Sequence, residues 1–110
     1  MSGQIKDVTD QGFEETVIRA DRPVLVDFWA DWCVPCHLVA PIVEQLAMEH
    51  AGRMEVTKLN IDENPSTTDR FQVLSIPTLI LFSGGVERGR VVGARSKEAI
   101  ERALLGDLAA

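Results

Sequence analysis

The chain has 110 residues, of which 45% are hydrophobic, and this is enough to fill one core, so we expect a single domain spanning residues 1–110. Its 11 basic and 17 acidic residues give a formal net charge of -6, and an acidic surface is repelled by nucleic-acid phosphates and anionic lipids. No run approaches the roughly 20 apolar residues that span a bilayer, and the first residues lack the apolar core of a secretory signal. We therefore expect a cytoplasmic protein that binds neither nucleic acid nor membranes.

The first part of the chain predicts a strand, a helix and a second strand. Residues 5–8 are typical of a short edge strand, and Thr9 or Asp10 then offers an oxygen that caps a helix ending near Ala20. The run 24–30 is apolar apart from one carboxylate, as expected for a central strand that is covered on both faces.

The middle of the chain predicts a long helix, a strand and a short helix. After Cys33, apolar residues recur at helical spacing until the chain reaches Gly52. Pro41 lies inside this helix, where it lacks an N–H and crowds the preceding turn, so we expect a kink rather than a break. Residues 54–61 are typical of a strand, and residues 66–71 of a short helix.

The last part of the chain predicts a hairpin and a helix. Residues 78–82 form a third buried strand, and two consecutive glycines supply a tight turn into an antiparallel strand at 86–93. Ser96 caps a final helix whose apolar face is Ile100, Leu104 and Leu108, and residues 106–110 form a loose tail. The order of elements predicts an α/β fold with a mixed sheet of about five strands flanked by about four helices.

The two cysteines carry the sharpest chemical signal. We expect Cys33 to lie at the exposed N-terminus of a helix, where unpaired N–H groups and the helix dipole stabilise a thiolate, so we assign it as the attacking sulfur. Cys36 lies one turn further in, within reach of a disulfide but shielded by the helix, which suits a resolving thiol. The alternative is an inert or simply disulfide-bonded pair, which the strand-to-helix position makes the minority interpretation.

Asp27 is the second chemically informative residue. A carboxylate in the middle of an apolar strand is desolvated, which raises its pKa and makes it a proton acceptor. The alternative is a structural aspartate satisfied by Lys58 on the neighbouring strand, and the two roles are compatible.

Four ordered segments resemble one known family. The sequence VDFWADWCVPC at 26–36 resembles the active-site segment of the thioredoxins. KLNIDENP at 58–65, SIPT at 75–78 and VGA at 92–94 resemble further thioredoxin segments in the same order. The likeness covers residues 5–108 and implies the thioredoxin fold, with reduction of protein disulfides and no bound cofactor.

The resemblance also implies roles for individual residues. Asp27 would accept the proton of Cys36 through water, and the Ile76–Pro77 bond would be cis, turning the Ile76 backbone toward the cysteines to pair with an extended client segment. Pro77 therefore counts with Cys33, Cys36 and Asp27 as catalytic. A shallow apolar groove would then be formed by six residues: Trp32, Ile76, Pro77, Val92, Gly93 and Ala94. Val34 and Pro35 are expected to bind the client as well. Trp29 is expected to pack beside the site.

The expected partners follow from the same resemblance. Thioredoxin reductase, an NADPH-dependent flavoprotein, would restore the dithiol, and disulfide-bearing client proteins would consume it. The chain is expected to act as a monomer. Its sequence does not distinguish among clients such as ribonucleotide reductase, methionine sulfoxide reductase or a peroxidase.

Two residues depart from the usual thioredoxin pattern. Val34 stands where most thioredoxins have glycine, and His37 where most have lysine. His37 shares a helix face with Cys33, but histidine supplies less positive charge than lysine at neutral pH, so we expect weaker stabilisation of the thiolate. The second histidine, His50, lies near the end of the long helix and is expected to be a solvated residue favoured by the dipole rather than a ligand or a base.

The cysteine motif is also compatible with three other functions: haem attachment, zinc binding and redox-inert binding of a partner. Residues 33–37 read C-x-x-C-H, the attachment sequence for c-type haem, with His37 as one axial ligand and Met48 or Met54 as the other. The missing export signal, the proline inside the motif and the strand-rich pattern argue against haem. A zinc site needs about four ligands, which one C-x-x-C and two scattered histidines do not supply. A redox-inert binding module is disfavoured because both cysteines and Asp27 are present.

Overall fold

The computed structural model describes residues 4–106 and contains one five-stranded mixed sheet. Its strands are β1 (Ile5–Asp7), β2 (Val24–Trp29), β3 (Glu55–Asn60), β4 (Thr78–Ser83) and β5 (Val86–Val92). They lie in the order β1-β3-β2-β4-β5, with β1, β3 and β2 parallel and with β4 antiparallel to both β2 and β5. The predicted α/β fold with a mixed sheet is confirmed.

Helical segments connect the strands. These are π1 (Glu14–Ile18) and π2 (Glu101–Leu105), which are π-helical, and the α-helices α1 (Val34–Glu49), α2 (Pro65–Arg70) and α3 (Lys97–Ile100). Helix α1 continues through Pro41 without the break that was disfavoured, and the kink expected there stays a prediction. Ser96 caps α3, since its hydroxyl accepts a hydrogen bond from the Ala99 N–H at 3.1 Å. Leu108 and most of the predicted tail lie outside the described residues. No helix of residues 4–106 is long and apolar enough to cross a membrane.

The central strand β2 is covered on both faces, which explains its unbroken apolar sequence. Leu25 packs into the core beneath α1 and α3, whereas Val26 and Phe28 pack into a second core on the opposite face. The three side chains are fully buried, and burial of a large apolar side chain contributes about 1.5–3 kcal/mol. This packing fixes the strand that carries Asp27 and leads into the cysteines.

The hairpin between β4 and β5 forms as predicted. Gly84 and Gly85 have φ values of 63° and 79°, the left-handed pair that a two-residue type I′ turn requires. A Cβ on Gly85 would lie 3.1 Å from the Ile18 carbonyl oxygen, so both backbone conformation and space favour glycine there. The hairpin brings Val92 opposite Thr78, at the end of the sheet where the cysteines lie.

The first predicted helix forms but is shorter than expected, and of its two candidate caps Thr9, not Asp10, accepts a hydrogen bond near its start. The helical segment is the five-residue π1, preceded by a turn in which Thr9 Oγ1 accepts a hydrogen bond from the Gly12 N–H at 3.1 Å. Asp10 caps a different helix, because its carboxylate accepts hydrogen bonds from the Ser66 and Thr67 N–H groups of α2 at 3.1 and 2.8 Å.

The expectation for His50 is wrong as well. His50 is the C-cap residue of α1, as a dipole-favoured histidine would be, but only 5% of its surface is exposed. A ring nitrogen of His50 and carboxylate oxygens of Glu49 and Glu101 all lie within 4.8 Å of one another, so π2 packs near the end of α1 there. This contact between distant parts of the chain was absent from the local pattern.

Candidate active site

The two cysteines lie at the start of α1, shortly after the end of β2. Cys33 is the N-cap residue of α1, with extended backbone angles, and its Sγ accepts a hydrogen bond from the Cys36 N–H at 3.2 Å. The two form a disulfide with their Cα atoms 5.3 Å apart. Because the Cys36 N–H in the first turn points at the Cys33 sulfur, the helix N-terminus stabilises a thiolate there after reduction.

Exposure does not separate the two cysteines, contrary to expectation. Cys33 is 4% exposed and Cys36 is 3% exposed, so Cys33 does not lie openly at the surface. What separates them is access from one side, since Cys33 forms part of the wall of a surface cavity and Cys36 is not among its lining residues. The predicted shielding of Cys36 is confirmed.

The cavity beside Cys33 is open and mainly apolar. Its volume is about 490 Å³. Nine residues line it: Trp32, Cys33, Val34, Pro35, Ile61, Val73, Leu74, Ser75 and Ile76. Leu74 is 93% exposed, and Trp32 and Val34 are each about two-thirds exposed. Exposed apolar side chains around a reactive sulfur favour the binding of another protein's apolar segment.

Only some of the predicted site residues line this cavity. Trp32, Val34, Pro35 and Ile76 do, whereas Pro77 and the loop after β5 do not. That loop nevertheless lies beside Pro77, since the Gly93 N–H donates a hydrogen bond to the Pro77 carbonyl oxygen at 2.8 Å. Val92 and Ala94 are the chain neighbours of Gly93.

Sequence reasoning missed part of the cavity wall, namely Ile61 together with Val73, Leu74 and Ser75. A signal was available, because Val73 and Leu74 are adjacent apolar residues between a short helix and the SIPT segment. They belong to no element with a periodic pattern, so the periodicity on which the other predictions depend passed over them.

The Ile76–Pro77 peptide bond is cis, as the resemblance implied. The Ile76 carbonyl oxygen lies 3.8 Å from Cys33 Sγ, so the backbone of this segment faces the disulfide. The Thr78 hydroxyl donates a hydrogen bond to the Ser75 carbonyl oxygen at 2.6 Å, which ties the two sides of the segment together. A client strand alongside Ile76 would therefore lie next to the Cys33 sulfur.

Asp27 is buried in the central strand β2, and one of its carboxylate oxygens is unpaired among the described residues. It is 6% exposed, and its Oδ1 has no hydrogen-bond partner in the described part of the chain. Burial raises the pKa of Asp27 to about 7, and the positive charge of Lys58 opposes this only in part. A carboxyl group with a pKa near neutrality exchanges protons readily at physiological pH.

Lys58 does not satisfy Asp27 by a direct ion pair. The two residues are register partners on β3 and β2, but Lys58 Nζ lies 5.0 Å from the centre of the Trp29 ring, over its face. No ion pair of residues 4–106 includes Asp27. A purely structural role for Asp27, in which Lys58 satisfies its charge, therefore rests only on a longer-range attraction between the two charges.

The two tryptophans have different surroundings. Trp29 contacts both Lys58, whose Nζ lies over its ring, and the His37 ring, which is nearly perpendicular to it, as expected for a packing residue beside the site. Trp32 is exposed, and its Nε1–H donates a hydrogen bond to Asp62 at 2.8 Å, which holds the indole at the cavity mouth.

The His37 side chain forms a hydrogen bond with the loop before the cysteines and none with the Cys33 sulfur. Its Nε2 lies 2.7 Å from the carbonyl oxygen of Asp31, which accepts a hydrogen bond, so this nitrogen carries a proton. The expected shared face with Cys33 exists, because the His37 backbone N–H bonds the Cys33 carbonyl oxygen at 3.3 Å. The imidazole itself is directed at Asp31.

The haem alternative receives no support from these positions. His37 lies in the first turn of α1 and Met48 in its last, about three helical turns away, so the two cannot ligate one iron. Met54 is buried beyond the end of the helix. Among the described residues, the only group of three side chains close enough to share a metal ion is Glu49, His50 and Glu101, which does not include the cysteines.

Comparisons with known proteins agree with this geometry. The family model described as Thioredoxin matches residues 4–105. The chain is 49% identical to a thioredoxin of Streptomyces clavuligerus over 102 residues, which are 93% of this chain and 94% of the relative. It is 53% identical to a thioredoxin of Mycobacterium tuberculosis strain H37Rv over 97 residues, 88% of this chain and 84% of the relative.

A longer relative is also similar. The chain is 48% identical to the bifunctional thioredoxin reductase/thioredoxin of Mycobacterium leprae over 103 residues, which are 94% of this chain and 22% of that protein. In view of the matches over most of its length and of the cysteine pair at the start of α1, the chain belongs to the thioredoxin family of protein thiol–disulfide oxidoreductases.

Proposed function

We propose that the protein reduces disulfides in client proteins, with Cys33 as the attacking cysteine and Cys36 as the resolving one. The observation that carries this assignment is that Cys33 lines the apolar cavity and Cys36 does not. A client disulfide held in the cavity reaches the sulfur that the α1 N-terminus stabilises as a thiolate. We also propose that the chain works as a single domain, as a monomer and in the cytoplasm.

The first step is an exchange between the protein and its client. The Cys33 thiolate attacks one sulfur of the client disulfide, the client S–S bond breaks, and the other client sulfur leaves as a thiolate that takes up a proton. The product is a mixed disulfide between Cys33 and the client. Ile76 and Pro77 are proposed to position the client strand, with Trp32, Val34 and Pro35 around it and Val92, Gly93 and Ala94 beside Pro77.

The second step releases the client. Cys36 gives its proton to Asp27, through water, and attacks Cys33 Sγ, so that the mixed disulfide breaks and the second client sulfur leaves as a thiolate. Two electrons pass to the client, and the protein is left with the Cys33–Cys36 disulfide. We propose that a thioredoxin reductase returns two electrons from NADPH to restore the dithiol.

The test is reduction of insulin in the presence of NADPH and a bacterial thioredoxin reductase. We expect turbidity from precipitating insulin B chain together with NADPH oxidation, and neither with the Cys33→Ser variant. Replacing the reductase by dithiothreitol separates the two proposals. If the protein accelerates insulin reduction by dithiothreitol but is inactive with the reductase, disulfide reduction is supported and that reductase is contradicted as the partner. If the protein is inactive under both conditions, the proposed function is contradicted.

A further inference from the structure

A second cluster of chemically active side chains lies at the C-terminal end of α1. One ring nitrogen of His50 and one carboxylate oxygen from each of Glu49 and Glu101 all lie within 4.8 Å of one another. Glu49 and His50 end the long helix, and Glu101 begins π2, so the cluster joins two helical segments that are far apart in the sequence. It is separate from the cysteines at the other end of α1.

His50 gives this cluster a feature that ordinary surface ion pairs lack. The residue is 5% exposed, and its Nδ1 has no hydrogen-bond partner in the described part of the chain. Buried polar atoms are nearly always paired, because the loss of their contact with water is otherwise uncompensated. The neutral imidazole keeps one unprotonated ring nitrogen, which offers a lone pair to a metal ion.

The cluster has two negatively charged carboxylates for one positively charged ammonium group, and this excess of negative charge favours the binding of a cation. Lys97 Nζ lies 2.8 Å from Glu49 Oε1 and 3.4 Å from Glu101 Oε2, so a single ammonium group serves two carboxylates. The other Glu49 oxygen accepts a hydrogen bond from Gln45 at 3.2 Å. The Lys97 side chain is long and 22% exposed, which gives it a path to solvent when a stronger cation arrives.

The ligand types select the ion. One imidazole and two carboxylates, with water in a fourth position, form a set that Zn²⁺ accepts, whereas Mg²⁺ and Ca²⁺ prefer oxygen ligands alone. Bonds of about 2.0–2.2 Å to zinc would place the ligand atoms about 3.4 Å apart, a contraction that rotation of the two glutamate side chains can supply.

We propose that Glu49, His50 and Glu101 form a zinc site in which the ion displaces the ammonium group of Lys97. The sequence contained no metal motif because Glu101 reaches the two other ligands only through the packing of π2 near α1. The bound ion connects these two segments, so it stabilises the folded chain in proportion to the free zinc concentration.

The experiment uses the oxidised, tag-free protein, in which the disulfide sulfurs do not compete for metal. Calorimetric titration with Zn²⁺ is expected to show one saturable equivalent, Co²⁺ to give visible absorption bands, and Zn²⁺ to raise the thermal midpoint. Excess Mg²⁺ is expected to leave all three unchanged. Removing the competing ammonium with Lys97→Met is expected to tighten zinc binding several-fold.

Two histidine variants localise the ion, since the chain has two histidines. His50→Asn is expected to abolish binding, and the matched control His37→Asn to bind zinc as the unmodified protein does. Because His50 is buried and its variant could fail to fold, Glu101→Gln provides a second test and is expected to weaken binding at least about tenfold. Absence of saturation below about 1 mM Zn²⁺, or unchanged binding in both His50→Asn and Glu101→Gln, overturns the proposal.

Discussion

At the scale of single residues, the two cysteines differ by what lies beside them rather than by exposure. Both are almost fully buried, but Cys33 alone forms part of the cavity wall. We therefore expect Cys36→Ser to accumulate mixed disulfides with disulfide-bearing proteins, because the attacking sulfur remains and the resolving one is lost. Cys33→Ser is expected to trap almost none. Non-reducing electrophoresis and mass spectrometry of the covalent complexes measure this, and equal trapping by the two variants would refute the assigned roles.

Asp27 couples the stability of the folded chain to pH. Burial raises its pKa to about 7 from its ordinary value of 3.8, so between these two pH values the folded chain retains a proton that the unfolded chain has lost. The free energy of unfolding therefore falls as the pH rises through this window and levels off above it. The shift corresponds to a loss of about 4 kcal/mol at alkaline pH.

Asp27→Asn should remove this loss. In denaturant titrations of the oxidised protein, we expect the variant to be more stable than the unmodified chain by up to about 4 kcal/mol at pH 8, and by little at about pH 4. Asp21→Asn is the matched control, because the Asp21 side chain is 95% exposed. A gain of the same size at both pH values would show that Asp27 does not titrate near neutrality.

The same substitution tests the proposed proton transfer. Asparagine keeps the shape of aspartate but accepts no proton, so Asp27→Asn should slow the resolving step at neutral pH by at least about tenfold. Stopped-flow tryptophan fluorescence of a preformed mixed disulfide follows that step directly. Turnover at the unmodified rate across neutral pH would return Asp27 to a purely structural role.

At the scale of elements, α2 depends on a residue far from it in the sequence. Its N-cap residue, Asn64, makes no capping bond of its own, and Asp10 accepts hydrogen bonds from two N–H groups of the first turn instead. These hydrogen bonds lower the pKa of Asp10, although partial burial opposes the effect. A carboxylate at this position also interacts favourably with the positive end of the helix dipole.

Asp10→Ala should therefore destabilise the chain by about 1–2 kcal/mol at neutral pH, as measured by denaturant unfolding. A lowered pKa stabilises the folded state above the unfolded value of 3.8, and the contribution is lost as the pH falls through the folded value. Asp21→Ala provides the control with an exposed aspartate outside any cap. An equal effect of the two substitutions would mean that the long-range cap contributes nothing.

Asp10 also shows where sequence reasoning stops. Apolar runs and turn residues predicted β2, the β4–β5 hairpin and the long α1 because those signals are local. The cap on α2 and the burial of His50 depend on which elements pack together, and no local pattern carries that information. The four resembling segments predicted the positions of Cys33, Asp27 and the cis bond, but not the wall formed by Val73 and Leu74.

At the scale of the whole molecule, the order of the strands places the cysteines, the cis peptide bond and the end of β5 at the same end of the sheet. Strand β2 leads into the cysteines, β4 begins directly after the cis bond, and β5 ends beside Pro77. The hydrogen bonds of the sheet thus fix the relative positions of segments that are distant in sequence. The groups around Cys33 are in place before a client binds, which reduces the ordering cost of binding.

The reduction potential is a property of the whole molecule, and it decides whether electrons flow from the protein to a client or from the client to the protein. Thioredoxin itself lies at about −270 mV, a reference value from another member of the family, and glutaredoxins lie at about −200 to −230 mV. The two departures of this chain lie on the exposed face of α1, where Val34 is 68% exposed and the His37 ring bonds the Asp31 carbonyl oxygen. Solvent screens a charge at such a position, so its effect on the thiolate is about 0.5 kcal/mol, or about 10 mV for two electrons.

We therefore expect this protein to remain a reductant with a potential below about −240 mV. Equilibration with glutathione buffers or with a reference thioredoxin, followed by quantification of the two redox forms, measures the value. His37→Lys restores the residue usual in the family and is expected to shift the potential by no more than about 10 mV. A potential above about −200 mV would make the protein an oxidising or isomerase-like member of its fold, because the client dithiol would then give up its electrons to Cys33 and Cys36.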